Sequence, residues 1–170
     1  MATIVRLTFI AGLACFLTSC VTTVERERVS QNKPAATRSG DRFQTVRTTA
    51  YTHNEGGSGH TNAIGRRLAA GNCKSAASDW SRFPLGTRFR VVSTGQEYVI
   101  DDYGGALVGT DKIDLYKPSR AEVHRWGVRS VDIEILQWGS HDESLKVLRP
   151  RHRARIVRRM IASLETRKTS

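Results

Sequence analysis

Cysteine is scarce in this chain of 170 residues: Cys15, Cys20 and Cys73 are too few and too unevenly placed to staple a small fold. Proline, at 4 residues, is too rare for a collagen-like chain or an extended linker protein. No apolar run approaches the roughly 20 residues that a membrane-spanning helix needs. Acidic residues are the minority, 16 against 27 Lys plus Arg, which leaves a formal charge of +11 and a pI of about 10.3. That excess favours polyanionic surroundings, whether nucleic acid, anionic lipid or an acidic wall polymer, without choosing among them. Aromatic residues make up only 7% of the chain and do not interleave with the basic ones, which argues against a stacking platform for single-stranded nucleic acid. What is present is 39% hydrophobic residues, enough to exclude a wholly disordered chain, and a length that suits one domain with appendages.

The N-terminus reads as a targeting segment. Arg6 precedes a mostly apolar stretch, Leu7 to Phe16, followed by Leu17-Thr18-Ser19-Cys20. Ten helical residues rise only about 15 Å, half of a bilayer core, so the stretch predicts a cleaved signal rather than an anchor. Leu-Thr-Ser-Cys resembles the bacterial lipobox, which would make Cys20 the lipidated first residue of the mature chain. Val21 follows, with no Asp at that position; in lipoprotein sorting this implies the periplasmic side of a diderm outer membrane. The alternative is an ordinary secretory signal with an incidental cysteine. With Cys15 removed and Cys20 acylated, Cys73 is the one free thiol and no intramolecular disulfide can form.

Composition then divides the chain into a signal peptide over 1–19, a polar tether over 20–43 broken by Pro34, a compact domain over 44–138 and a basic tail over 139–170. The clearest strands are Arg88–Ser93, Glu97–Ile100 and Val131–Leu136, the last alternating apolar and acidic residues. Ser93 to Gln96 forms a tight hairpin link between the first two. Inside the domain one helix is well signalled: Ser119 caps it, Glu122 stands three residues on, and Gly127 stops it after Trp126. Short strands, one brief helix and Gly-rich turns predict a mainly β fold, a small β-barrel. In the tail, Ile156, Met160, Ile161 and Leu164 fall at helical spacing. Residues 153–166 can therefore form a short basic amphipathic helix, although a solvated tail that is only partly helical is the plainer reading.

Three aspartates stand out by context. Asp79 precedes a Pro-Leu-Gly-Thr turn at 84–87, while Asp102 and Asp114 flank the Gly-rich loop that follows the strand ending at Ile100. Gly104, Gly105 and Gly109 allow a sharp turn and close approach of backbone to a ligand. Such a loop can bring two carboxylates together, and a carboxylate neighbour raises the pKa of its partner toward that of a general acid. Any one of the three taken alone is equally an Asx-turn residue.

The segments TTAYT at 48–52, SGHTNAIG at 58–65, ASDWSRFPLGT at 77–87, DYGGALVGTDKIDLY at 102–116 and WGVRSVDIEIL at 126–136 resemble, in that order, the three-aspartate or 3D domain. That domain occurs in the membrane-bound lytic transglycosylase A family and in stationary-phase wall-remodelling proteins. The resemblance covers roughly residues 46 to 138, and its specific part is the segment from Asp102 to Tyr116. It implies a double-psi β-barrel that cleaves peptidoglycan glycan strands, with Asp114 as catalytic acid and then base, and with Asp102 and Asp79 tuning Asp114 and holding the barrel loops. It implies no cofactor and no metal. Tyr51, Thr49, Gly104 and Gly105 are candidates for lining the sugar groove, and Trp80, beside Asp79, for stacking on a sugar ring. The spacing from Asp102 to Asp114 is one residue longer than in the lytic transglycosylases, with Asp111 as an extra acid, and the second domain of that family is lacking.

The rival readings are a barrel that binds glycan without turnover, and a nucleic-acid protein suggested by charge alone, which a secretory signal opposes. A metal site from His53, His60 and Cys73 matches no zinc spacing, and nothing around Cys73 supports a nucleophile. The expected partners are glycan strands and, through Cys20, a membrane; oligomeric state is not legible.

Overall fold

The computed structural model describes residues 42–54 and 59–168. The expected signal peptide, Cys20 and the tether up to residue 41 lie outside the described residues. Six strands close into a barrel in the order β1-β5-β2-β4-β3-β6. They are β1 (Phe43–Tyr51), β2 (Cys73–Ser78), β3 (Arg88–Val91), β4 (Glu97–Asp102), β5 (Ile113–Tyr116) and β6 (Arg129–Gln137). β1 runs parallel to β5 and β2 parallel to β4, while the remaining neighbours are antiparallel. This is the mainly β, small double-psi barrel that the sequence predicts.

Alternation fills the interior. In β6, Val131, Ile133 and Ile135 point inward, while Asp132 and Glu134 face out and meet Thr45, Arg42 and Arg90. Phe89, Val91, Tyr98, Ile100, Ile113 and Leu115 complete the core at 1% exposure or less. The link from β3 to β4 is tight, with Gly95 at φ 68° between Val91 and Gln96, whose backbones are joined by a hydrogen bond. Helix α1 (Arg120–Trp126) starts where Ser119 Oγ accepts from the Glu122 amide and ends at Gly127.

The basic tail is not a solvated appendage. Residues 139–168 form a helical hairpin, α2 (His141–Leu148), a 3-10 turn (Arg149–Arg151) and α3 (Arg155–Lys168). Leu145, Leu148, Val157, Met160 and Leu164 are buried and belong to the same core cluster as the barrel residues. Each such side chain contributes about 1.5–3 kcal/mol by leaving water. The junction is also hydrogen-bonded: Ser140 N donates to Leu85 O, Leu85 N to Ser144 Oγ, and Gly139 N to Thr87 Oγ1. Gly139 passes so close to the Pro84 and Leu85 carbonyls that no side chain fits there. The compact unit therefore extends past Trp138 to the end of α3, because the hairpin's apolar stripe has a barrel face to cover.

Candidate functional site

A cleft of about 770 Å³ opens beside the C-terminal ends of β1 and β4. Thr49 and Tyr51 line it from β1, Ala77 from β2, Asp102 from β4, Lys112 and Asp114 from β5 and its approach, and Tyr103 to Leu107 from the Gly-rich loop. Pairing explains how the carboxylates arrive. Asp114 lies in register with Thr49 on one side and Ala77 on the other, and Thr49 Oγ1 donates to Asp114 Oδ1 at 2.7 Å. Ala77 has no bulk to cover its neighbour. In β4 the ladder pairs Ala76 with Ile100 and Ala77 with Asp102, so Asp101 is an extra, bulged residue. A bulge lets two successive side chains escape strict alternation. Asp101 turns into the protein, where Oδ2 accepts from Asn62 Nδ2 at 2.8 Å and Ser75 Oγ at 2.7 Å. Asp102 reaches the cleft, with Oδ1 accepting from the Tyr103 amide at 2.9 Å.

This placement sets the electrostatics. Burial, and after it the charge of Asp101, raise the Asp102 carboxyl to about 6, against the opposing hydrogen bonds from Tyr103, Ala63 and Tyr51. Burial also pushes Asp101 up, and its Oδ1 has no hydrogen-bond partner. The Tyr51 phenol is pushed far up by burial first and then by the Asp102, Asp101 and Asp114 carboxylates. It therefore stays a neutral donor, with its hydroxyl 3.5 Å from Asp102 Oδ2. The cleft thus holds one carboxyl raised to about 6 and a second, Asp114, seated on a threonine hydroxyl. Proton transfer to and from an oxygen-bearing ligand is chemistry that this pair can perform.

The structure brings six of the expected residues into the cleft: Asp114, Asp102, Tyr51, Thr49, Gly104 and Gly105. Asp79 and Trp80 do not line it. Asp79, 4% exposed, accepts from Ser81 N and Ser81 Oγ at one oxygen and from Gly109 N at the other, so it clamps the far end of the Gly-rich loop. Trp80 is fully buried, edge-on to Tyr103, and its indole N–H donates to Asp102 O. It has no face to offer a sugar; its role is to pin the main chain that carries Asp102. Of the loop glycines only Gly109 has positive φ, +85°; Gly104 and Gly105 instead present bare backbone to the cleft.

Asp101, Asn62 and Lys112 are site residues that sequence reasoning missed. An Asp-Asp pair at a strand end is the available signal, since strict alternation would send one of the two to the wrong face. His53 and His60 lie against each other, ring centroids 4.4 Å apart and planes tilted by 32°, and His53 Nδ1 shares a hydrogen bond with the Tyr116 hydroxyl. Among the described residues no three His, Cys, Asp or Glu side chains are placed to hold a metal ion.

Fold and cleft together define a small closed barrel with paired carboxylates at the ends of its strands. Residues 74–137, from β2 through β6, match the model of the 3D domain family. The chain is 40% identical over 93 residues to the cell wall-binding protein YocH of Bacillus subtilis, and 39% identical over 97 residues to the putative cell wall shaping protein YabE of the same organism. These matches cover 54% and 56% of this chain but 32% and 23% of the relatives, so the chain spans less than a third of either.

Proposed function

We propose that the protein acts on the bacterial cell wall as a peptidoglycan lytic transglycosylase, exported from the cytoplasm and tethered through a lipid on Cys20. The observation that carries this reading is the juxtaposition of Asp114 with an Asp102 carboxyl raised to about 6 in one polar cleft. Asp114 protonates the glycosidic oxygen between MurNAc and GlcNAc. The resulting carboxylate takes the proton of the MurNAc 6-hydroxyl as that oxygen closes the 1,6-anhydro ring. One carboxyl serves both steps, with no need for an activated water. Burial raises the Asp102 carboxyl to about 6, so only at and below that pH does the cleft carry less than a second full negative charge. Tyr51 and Thr49 orient the sugar and the Asp114 carboxyl.

The likeness to the cell wall-binding protein YocH favours a second reading, a barrel that grips glycan without cutting it. Purified sacculi incubated with the mature chain separate the two when the released material is read by mass spectrometry. Anhydro-MurNAc ends from the parent, and none from Asp114→Asn, support the transglycosylase. Sacculus binding by both proteins with nothing released supports the binding module, and hydrated reducing ends require a hydrolase with a water-activating carboxylate.

A further inference from the structure

Helix α3 does more than cover the barrel. Ile156 Cδ1 lies 3.7 Å from where a Gly105 Cβ would stand. The Arg159 guanidinium occupies the space beside Gly109, with Nη2 2.5 Å from the corresponding position. The basic helix is thus laid against the loop that forms one wall of the cleft. A small hollow of about 120 Å³, lined by Gly105, Val108, Arg155, Ile156 and Arg159, meets the cleft at Gly105, which lines both.

Arg155 and Arg159 stand four residues apart on one face of α3, and both are exposed. The acids around them are engaged elsewhere: Glu165 pairs with Arg149, Glu143 with Lys146 and Asp111 with Arg82. Among the described residues no acidic side chain pairs with Arg155 or Arg159. Lys112, on the cleft side, adds a third cation near the same loop. Two exposed guanidinium forks beside the Gly105 edge of the cleft are suited to carboxylates that branch from a chain lying in the cleft.

We propose that Arg155 and Arg159 form a cationic subsite at the Gly105 edge of the cleft that takes the carboxylates of the short peptides borne by a glycan strand. The inference rests on the reading of the cleft as a peptidoglycan site and adds to it a preference for peptide-bearing over stripped strands. The test is co-sedimentation of the mature chain with intact sacculi and with sacculi stripped of stem peptides by an amidase. The parent should prefer the intact material about tenfold. The preference should fall toward one in Arg155→Gln and in the Arg155→Gln/Arg159→Gln double variant, and should be restored in part by Arg155→Lys. The single variant matters because Arg159 also packs on Gly109, and the thermal melting of each variant reports whether the fold is kept. A parent without preference, or a folded double variant that retains it, overturns the subsite. Failure of the parent to bind either material overturns both the glycan reading and the subsite. A preference that depends on the arginines, with no fragment released, supports the subsite and removes only the cleavage. Sacculus preference unchanged but binding to anionic phosphatidylglycerol vesicles lost in the variants assigns the pair to a lipid surface and overturns the proposal.

Discussion

Asp79 and Asp102 sit on two neighbouring pieces of one barrel, and the difference between them shows how a fold divides carboxylates between structure and chemistry. At the Asp79 turn both carboxylate oxygens are used: two donors from Ser81 and one from Gly109 close a buried carboxylate into the loop. At the end of β4 the bulge buries Asp101, leaves one of its oxygens without a partner, and turns the half-buried Asp102 beside it toward an open cleft. Donors directed at a carboxylate stabilise its charged form, and burial without enough of them stabilises the protonated one. The first region therefore holds the Gly-rich loop still, and the second keeps a titrating group where a ligand can reach it. Trp80 links the two, because its buried indole reaches from the Asp79 turn to the Asp102 carbonyl.

The sharpest way to separate the regions is to remove one acid from each. Asp114→Asn should lower fragment release from sacculi by about 100-fold or more with little change in melting temperature, as expected for loss of a general acid. Asp102→Asn, which mimics the neutral form, should cost less activity and leave a flatter pH profile. If Asp102→Asn is the more damaging variant, the proton carrier is Asp102. The helical hairpin offers a contrast in stability alone: Leu148→Ala should cost about 2–5 kcal/mol in urea unfolding, because it opens a hole in the shared core. Asp79→Ala should cost about 2–3 kcal/mol by the same measurement, since it leaves the Ser81 and Gly109 amides without their acceptor. A change under 0.5 kcal/mol would mean that the clamp does not matter. Gly109→Ala should cost about 1–2 kcal/mol from its positive φ, the Arg159 guanidinium beside it being the movable end of an exposed side chain.

The smallest effect is on the pH dependence of stability. In the fold burial raises the Asp102 carboxyl to about 6, above the 3.8 of an unperturbed aspartate, so between those values the native state binds more protons than the unfolded one. Asp102 therefore destabilises the fold progressively as pH rises from about 4 to about 6. Melting temperatures across that range should fall less steeply for Asp102→Asn than for the parent; parallel curves would remove the raised carboxyl from the account.

Much of this arrangement is legible in the sequence because it is local. The Val-Asp-Ile-Glu-Ile alternation gives β6, the Ser119–Glu122 and Gly127 signals give α1, and the spacing of Asp102, the loop glycines and Asp114 gives the cleft wall. What is not legible depends on pairing. Asp101 is a site residue only because the ladder slips by one between Ala76 and Ala77, and no local pattern announces that slip. Trp80 beside an aspartate reads as a sugar platform until the burial of the turn shows that its faces are covered. The hairpin is a different case. Ser140 and Glu143 repeat the Ser119–Glu122 signature, and Ser140 Oγ indeed accepts from the Glu143 amide. The density of arginine around 149–159 outweighs that signal in composition, although the arginines face solvent while Leu145, Leu148, Val157 and Met160 face the barrel.

The central claim is that the cleft between Thr49, Asp102 and Asp114 receives a glycan. A crystal structure of Asp114→Asn soaked with a GlcNAc–MurNAc tetrasaccharide tests it most directly. The account predicts sugar density along Tyr51 and the Gly104–Gly105 backbone, with a glycosidic oxygen within hydrogen-bond reach of the residue 114 amide and Asp102 beside it. Density bound elsewhere on the barrel, or an empty cleft at saturating tetrasaccharide, would contradict it.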